Sequence, residues 1–273
     1  MDIGKFGLWD RTAFFESLEP EELAEIVELG LPMVWVGGSP PADLALPEKL
    51  LAASSNVTVA TGIVNVWSDP PEVAARSYHR LSIYADRFLL GIGAGHSASG
   101  GVPYKPYDKL VGYLDGLDAG GVPTGARILA ALGPRVLRLA SDRTAGAHPY
   151  LVTPDHTATA REILGAGKLL IPEHKVILSR DPETARTLAR DRLAMYLALP
   201  NYTRNWLRLG FTEDDISGGG SDRLVDAMVA WGDEETIRTR LEEHITAGAD
   251  QVAVQILNDD KMVTLRRLAP ALA

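Results

Sequence analysis

Short apolar runs rich in β-branched residues alternate with longer stretches whose apolar positions recur every three to four residues, almost to the end of the chain. The runs predict eight strands, at residues 5–9, 33–36, 57–66, 87–92, 127–131, 147–152, 175–178 and 251–257, with helices between them. Helix starts are signalled by Pro20-Glu21-Glu22, by Pro71-Glu72, by Pro134 and Pro182, and by Asp233-Glu234-Glu235. Gly30, Gly165 and Gly248 stand where helices should stop. Eight rounds of strand and helix over roughly 250 residues predict a (β/α)8 TIM barrel, because an open doubly wound sheet usually ends at five or six strands.

One stretch breaks the rhythm. Between the seventh strand and Asp233, residues that include "LPNYTRNWLRLGF" and "SDRLVDAMVAWG" read as helical, with a turn marked by Asp214, Asp215 and Gly218 to Gly220. They predict a helical insertion over about residues 180–232, inside a single domain spanning residues 1–273. Trp206, Leu207, Leu209 and Phe211 give this insertion more apolar surface than a surface helix needs. Part of it should pack on the barrel mouth or against a second copy, as in a homodimer.

Composition narrows the function. A net charge of -9 argues against non-specific binding to nucleic acid or anionic lipid, both of which need a basic surface. With no cysteine, disulfides, thiolate nucleophiles and Cys-ligated metals are excluded. No run approaches the ~18 apolar residues of a membrane span and the first residues lack a signal-peptide pattern, so a cytoplasmic location is expected.

A barrel builds its active site at the C-terminal ends of its strands. The candidates there are Asp10, Gly37 to Ser39, Asn65 to Trp67, Gly93 to His96, Leu132 to Pro134, Tyr150 to Thr153, Ser179 to Arg180 and Gln255 to Asn258. The stretch "GIGAGHSASG" contains a literal G-x-G-x-x-G/A match, but three strand-helix units precede it and no helix opens at its glycines. Those glycines are expected instead to let a flat ligand approach the backbone. The phosphate grip is expected at Ala131-Leu132-Gly133-Pro134, where a helix opens on proline and leaves backbone N–H groups and the helix dipole free for an anion, with Arg135 beside it. No nucleophile elbow, HExxH or strand-end pair of carboxylates is present, so hydrolysis has no visible machinery. His148, Asp155 and His156 read as core or capping residues, and no metal site is expected. A mouth rich in glycine, tryptophan and amides but poor in acid-base groups suits a cofactor that carries its own redox chemistry.

"GLWD", "ATGIVNVW", "LGIGAGHS", "AALGP" and "GAHPYLVTPDHT", in this order and spacing, resemble the luciferase-like flavin/deazaflavin barrel superfamily, in its branch of coenzyme F420-dependent oxidoreductases. The resemblance extends through "GGSDRLVDAMVAWGD" and "AGADQVAVQIL", over essentially the whole chain. It implies an enzyme that exchanges hydride between F420 and an organic substrate, with an FMN-dependent monooxygenase or a non-catalytic F420- or flavin-binding protein as alternatives. It also implies a non-prolyl cis peptide at Gly62-Ile63 backing the ring, Asn65 and Ala94 to His96 around the ring, Leu132, Gly133 and Pro134 on the phosphate, and Tyr150 to Thr153 alongside. Trp67 and Ser39 would border the substrate. The acid-histidine pair and the glutamate of related dehydrogenases are replaced by Gly37-Gly38-Ser39 and Ala94, which leaves His96 as the expected acid-base residue.

Overall fold

The computed structural model describes residues 1, 3–95 and 105–272. Eleven strands join in one curled parallel sheet: β1 (Phe6–Arg11), β2 (Met33–Gly37), β3 (Thr58–Gly62), β4 (Val64–Asn65), β5 (Phe88–Gly93), β6 (Arg127–Leu129), β7 (Gly146–Ala147), β8 (Leu169–Leu170), β9 (Glu173–Leu178), β10 (Val229–Gly232) and β11 (Val252–Ile256). Their spatial order is β10-β9-β11-β1-β2-β3-β5-β6-β7-β8, with β4 paired to β5. Only Ile171 and Pro172 separate β8 from β9; Ile171 N–H donates to Ala147 O and Ala253 N–H donates to Pro172 O, both at 2.9 Å. The sheet therefore continues from β7 through this segment to β11 and β1, in a TIM-like α/β arrangement with its helices outside.

Three predicted strands change shape. Residues 57–66 split into β3 and β4, because the five residues from Ala60 to Val64 face the four from Leu89 to Ile92. The sixth strand, expected at 147–152, pairs regularly only at Gly146 and Ala147, and the seventh starts at Glu173 instead of Lys175. β10 was not expected at all. It lies in a stretch whose sequence reads helical, yet "VAWG" pairs with Lys175 to Leu178, the part of β9 that lies beyond the reach of the short β7. Four helices separate β9 from β10: Pro182–Leu197, Pro200–Arg208, Glu213–Ile216 and Asp222–Met228. Among the described residues no helix is long and apolar enough to cross a membrane.

The sheet interior is filled by Trp9, Met33, Trp35, Ala60, Leu89, Ile128, Ile171 and Ala253. Trp35 is fully buried, stacks on His148 at 4.2 Å and donates from Nε1 to Gln251 Oε1 at 2.8 Å. Each buried tryptophan removes ~150–250 Å² from water, roughly 4–6 kcal/mol of transfer free energy. A larger cluster fills the space between sheet and helices, and a third lies under the helices that follow β9, where Trp206, Phe211, Leu224 and Val225 meet Leu151 and Ile177.

Three histidines are sealed into this packing. His148 donates from Nδ1 to Ile171 O at 2.7 Å, and burial pushes its pKa down to about 4. On the outer face of β9, His174 Nδ1 lies 3.1 Å from His244 Nε2, while His244 Nδ1 lies 2.8 Å from Thr157 Oγ1. Burial lowers both, His244 to about 3. Such groups are neutral in the fold and take a proton near pH 6.5 when it opens. Their stabilisation is complete above that pH and is lost as the pH falls toward 4, by about 1.4 kcal/mol per histidine at pH 5.5. Burial raises Asp10 and Glu173, which act with the opposite sign, so a comparison of variants isolates the histidines. Urea unfolding of His244→Asn should fall less steeply than wild type between pH 7 and pH 5; equal slopes would mean that His244 is not held neutral.

Candidate active site

The extra residue in the third strand shapes the mouth. Thr61 Oγ1 donates to Gly91 O and accepts from Gly91 N–H, both at 2.8 Å, replacing the ladder bonds that the bulge removes. The bond Gly62-Ile63 is cis, as the resemblance implied. Gly62, Ile63 and Asn65 are left half-buried at the C-terminal end of the sheet, next to Ala94 and Gly95.

The neighbouring glycines serve this bulge. A Cβ on Gly91 would collide with the Thr61 carbonyl; one on Gly93 would come within 2.8 Å of Ala130 Cβ and 2.9 Å of Ile63 Cγ1; one on Gly95 would come within 2.7 Å of Asn65 Nδ2. The expectation that these glycines clear space for a flat ligand is therefore corrected. The chain's own backbone and side chains take the space.

Beneath Gly62, two buried polar atoms point at the position its Cβ would occupy: Trp9 Nε1 at 2.6 Å and His148 Nε2 at 3.3 Å. Neither has a hydrogen-bond partner among the described residues. Because a carbonyl only accepts, the bond from His148 to Ile171 puts the ring proton on Nδ1 and leaves Nε2 as an acceptor. The floor under Gly62 thus offers one donor and one acceptor.

The opposite wall is charged. Glu173 and Lys175, two residues apart on β9, face the same way and pair at 2.8 Å with both side chains almost completely buried. Lys175 Nζ sits 3.9 Å from the Tyr150 ring centroid; Tyr150 OH donates to Gln255 Oε1 at 3.3 Å and lies 3.0 Å from Tyr196 OH. Burial drives the Tyr150 phenol well above its usual range, so it stays protonated, while burial pushes the Glu173 carboxyl up and the Lys175 ammonium down against their mutual attraction. The mouth is not poor in acid-base groups, contrary to expectation. Starting the seventh strand two residues late hid the alternation in "EHK" that turns both charges inward.

The expected phosphate turn has the required form. Gly133 is the N-cap of helix Pro134–Arg143 in extended conformation, and no side chain caps that end. His156 donates from Nε2 to Leu132 O at 2.8 Å and holds the turn against the neighbouring helix Pro154–Leu164. Arg135 does not lean over the turn but stacks on Tyr107, 3.5 Å from its ring centroid. The guanidinium beside Gly133 belongs to Arg208, whose Nη2 lies 3.6 Å from the Cβ position of the glycine. Arg208 and Asn205 went unnoticed because only tertiary packing brings their helix here.

The expected residues fall into two groups. Ile63, Asn65, Ala94 and Gly95 adjoin one another around the bulge, and Gly62 meets Trp9, which is 5.4 Å from Tyr150. Leu132 and Tyr150 both border the cluster under the helices that follow β9. Thr153 is buried and its hydroxyl accepts His156 N–H at 3.3 Å as a helix cap. Trp67 is half-buried with Lys109 Nζ 5.5 Å over its ring, and Ser39 is exposed beyond β2 with φ of 61°. His96 lies outside the described residues.

No family model and no curated protein matches this sequence. Solved structures do match over nearly the whole chain. An F420-dependent secondary alcohol dehydrogenase in complex with an F420-acetone adduct has a TM-score of 0.76 at 13% identity, with 100% of both chains covered. A coenzyme F420-dependent tetrahydromethanopterin reductase from Methanopyrus kandleri has 0.68 at 16%, also with 100% of both chains covered. The oxygenating constituent of 3,6-diketocamphane monooxygenase from Pseudomonas putida, in complex with FMN, has 0.66 at 15%, covering 98% of this chain and 95% of that chain. The chain shares the TIM-like α/β fold of these enzymes. Enzymes that use F420 and enzymes that use FMN share it, and at these identities the likeness speaks for the fold alone.

The reassigned role of the glycines is testable. Gly91→Ala should destabilise the protein by about 1–3 kcal/mol or more, because a backbone carbonyl cannot move aside as a side chain tip can. Thermal melts without any cofactor would measure this. Unchanged stability combined with weaker cofactor binding would restore the ligand-clearing role.

Proposed function

We propose that this chain is a coenzyme F420-dependent oxidoreductase acting on a small organic substrate. One juxtaposition carries the reading: the half-buried wall of Ile63, Asn65, Ala94 and Gly95 opens at the same end of the sheet as the uncapped helix N-terminus at Gly133. A flat ring with a phosphorylated tail fits an apolar, amide-bearing wall next to an anion-binding turn. The preference for F420 over FMN rests on the sequence motifs; the fold is used with both cofactors.

When bound, the deazaflavin supplies a ring carbon that gives or takes hydride. The chain's own residues bind, orient and exclude water. Ile63 and the backbone around Gly62 back the ring, Asn65 and Gly95 fix its edge, and Leu132, Gly133 and Pro134 hold the tail with Tyr150 and Thr153 alongside. Trp67 and Ser39 border the substrate. His96 handles the accompanying proton, and the Tyr150 phenol, kept protonated by burial with Lys175 against its ring, is a second proton-bearing group at this end of the sheet. This acid-base set weighs against a protein that binds the cofactor without turnover.

Fluorescence titration should give a Kd for F420 at least about tenfold below that for FMN, a difference of about 1.4 kcal/mol. Equal or reversed affinities would favour the FMN-dependent monooxygenase. With a substrate in hand, His96→Ala should lower turnover by ~10²-fold or more with little change in cofactor affinity, and His96→Gln should not restore it. Wild-type rates in both variants would move the proton to Ser97, to Tyr150 or to solvent.

A further inference from the structure

The helix Pro200–Arg208 is fixed over the mouth by its last turn. Trp206 is fully buried and donates from Nε1 to Leu151 O at 3.1 Å, tying the helix to the chain just beyond β7. Arg208, two residues further on, is thereby held at the Gly133 turn, with Asn205 bonded to its guanidinium.

Arg208 is an unusual charge to find there. Its Nη2 donates to Asn205 Oδ1 at 3.0 Å, on its own helix, and among the described residues it pairs with no carboxylate. Yet it stands 3.6 Å from the Cβ position of Gly133, at the positive end of helix Pro134–Arg143, where the dipole repels a cation. Asn205 is 2% exposed, and with its Oδ1 turned to Arg208, its Nδ2 donor is buried without a partner among the described residues. A helix N-terminus meets a guanidinium without a carboxylate partner, and that guanidinium is bonded to a side chain whose amide donor is unsatisfied among the described residues. All three want a negatively charged acceptor.

We propose that Arg208 and Asn205 grip the phosphoryl group of the cofactor against the Gly133 N-terminus, so that the segment after β9 selects phosphorylated over unphosphorylated ring compounds. This rests on the functional reading above and adds the residues that set its specificity. A phosphate there is held from two sides, by the barrel through backbone N–H groups and by the helix Pro200–Arg208 through a charged fork. The cofactor's tail then joins two parts of the chain that Trp206 has already brought together. A monoester, as in FMN, and a diester, as in F420, both present anionic non-bridging phosphoryl oxygens to this site.

The test compares ligand pairs that differ in the phosphate: F420 with the phosphate-free deazaflavin chromophore, and FMN with riboflavin, each titrated by fluorescence. Wild type should bind the phosphorylated member of at least one pair about tenfold or more tightly, as a charge-assisted contact implies. Arg208→Gln should abolish most of that preference and leave affinity for the phosphate-free member unchanged. Gly133→Asp offers a second route, since its carboxylate would sit beside Arg208 as an internal anion; it should also abolish the preference without lowering the melting temperature. If both variants keep the wild-type preference, the phosphate is held elsewhere and the proposal fails while the oxidoreductase reading stands. If wild type binds none of the four compounds, that reading fails and takes the proposal with it.

Discussion

Trp9 is the contact on which the mouth depends. Its indole lies across the ends of β2 and β3, where only glycine fits: a Cβ on Gly37 would run into the six-membered ring, and one on Gly62 would come within 2.6 Å of Nε1. The same ring leans on Tyr150 at 5.4 Å, so one side chain sets the spacing between the bulged wall and the charged wall. Below it, Trp35 stacks on His148, and small residues such as Ala60 and Ala253 leave room for both indoles. An interior packed at crystal-like density transmits such placements rigidly, because no void is available to absorb a shift.

The two walls divide the chemistry. On one side the extra residue between Ala60 and Val64 forces a bulge, and Gly91, Gly93 and Gly95 accept the displaced backbone and the Ile63 and Asn65 side chains. On the other side β9 turns Glu173 and Lys175 inward. A charge pair taken out of water loses much of its hydration, so its geometry must be good and its remaining valences filled. Here Leu151 N–H donates to Glu173 at 3.4 Å, and the Lys175 ammonium rests on an aromatic face, which solvates a cation without water. The result is a sheet end with an apolar, amide-bearing side and, across Trp9, a side of matched charges and phenols.

The segment between β9 and β11 does more than cover the mouth. β10 completes hydrogen bonding along the upper half of β9, Trp206 and Phe211 bury apolar surface over the end of the barrel, and Arg208 reaches the Gly133 turn. Its exposed apolar side chains are few: Met195 and Leu207 stand out at 49% and 36%, while Trp206 is fully buried within its own chain.

The sequence alone carried the repeating strand and helix pattern of a TIM-like barrel, the proline and acid starts of the helices and an order of motifs that resembles the luciferase-like superfamily. These are local signals, written in hydrophobic periodicity and in residues with restricted backbones. Gly133-Pro134 was legible for the same reason, since an uncapped helix start is a property of a few adjacent residues. Tertiary structure decided the rest. The purpose of the glycines in "GIGAG" depends on an extra residue thirty positions away in β3, and no local pattern reports a mismatch between two strands. The inward turn of Glu173 and Lys175 depends on where β9 begins, and a start two residues earlier than expected leaves Glu173, the partner of Lys175, outside the predicted strand 175–178. Arg208 became part of the site only when the packing of Trp206 set its helix against a turn more than sixty residues earlier in the chain, a contact fixed by shape complementarity between distant segments and so invisible to any local reading of the sequence.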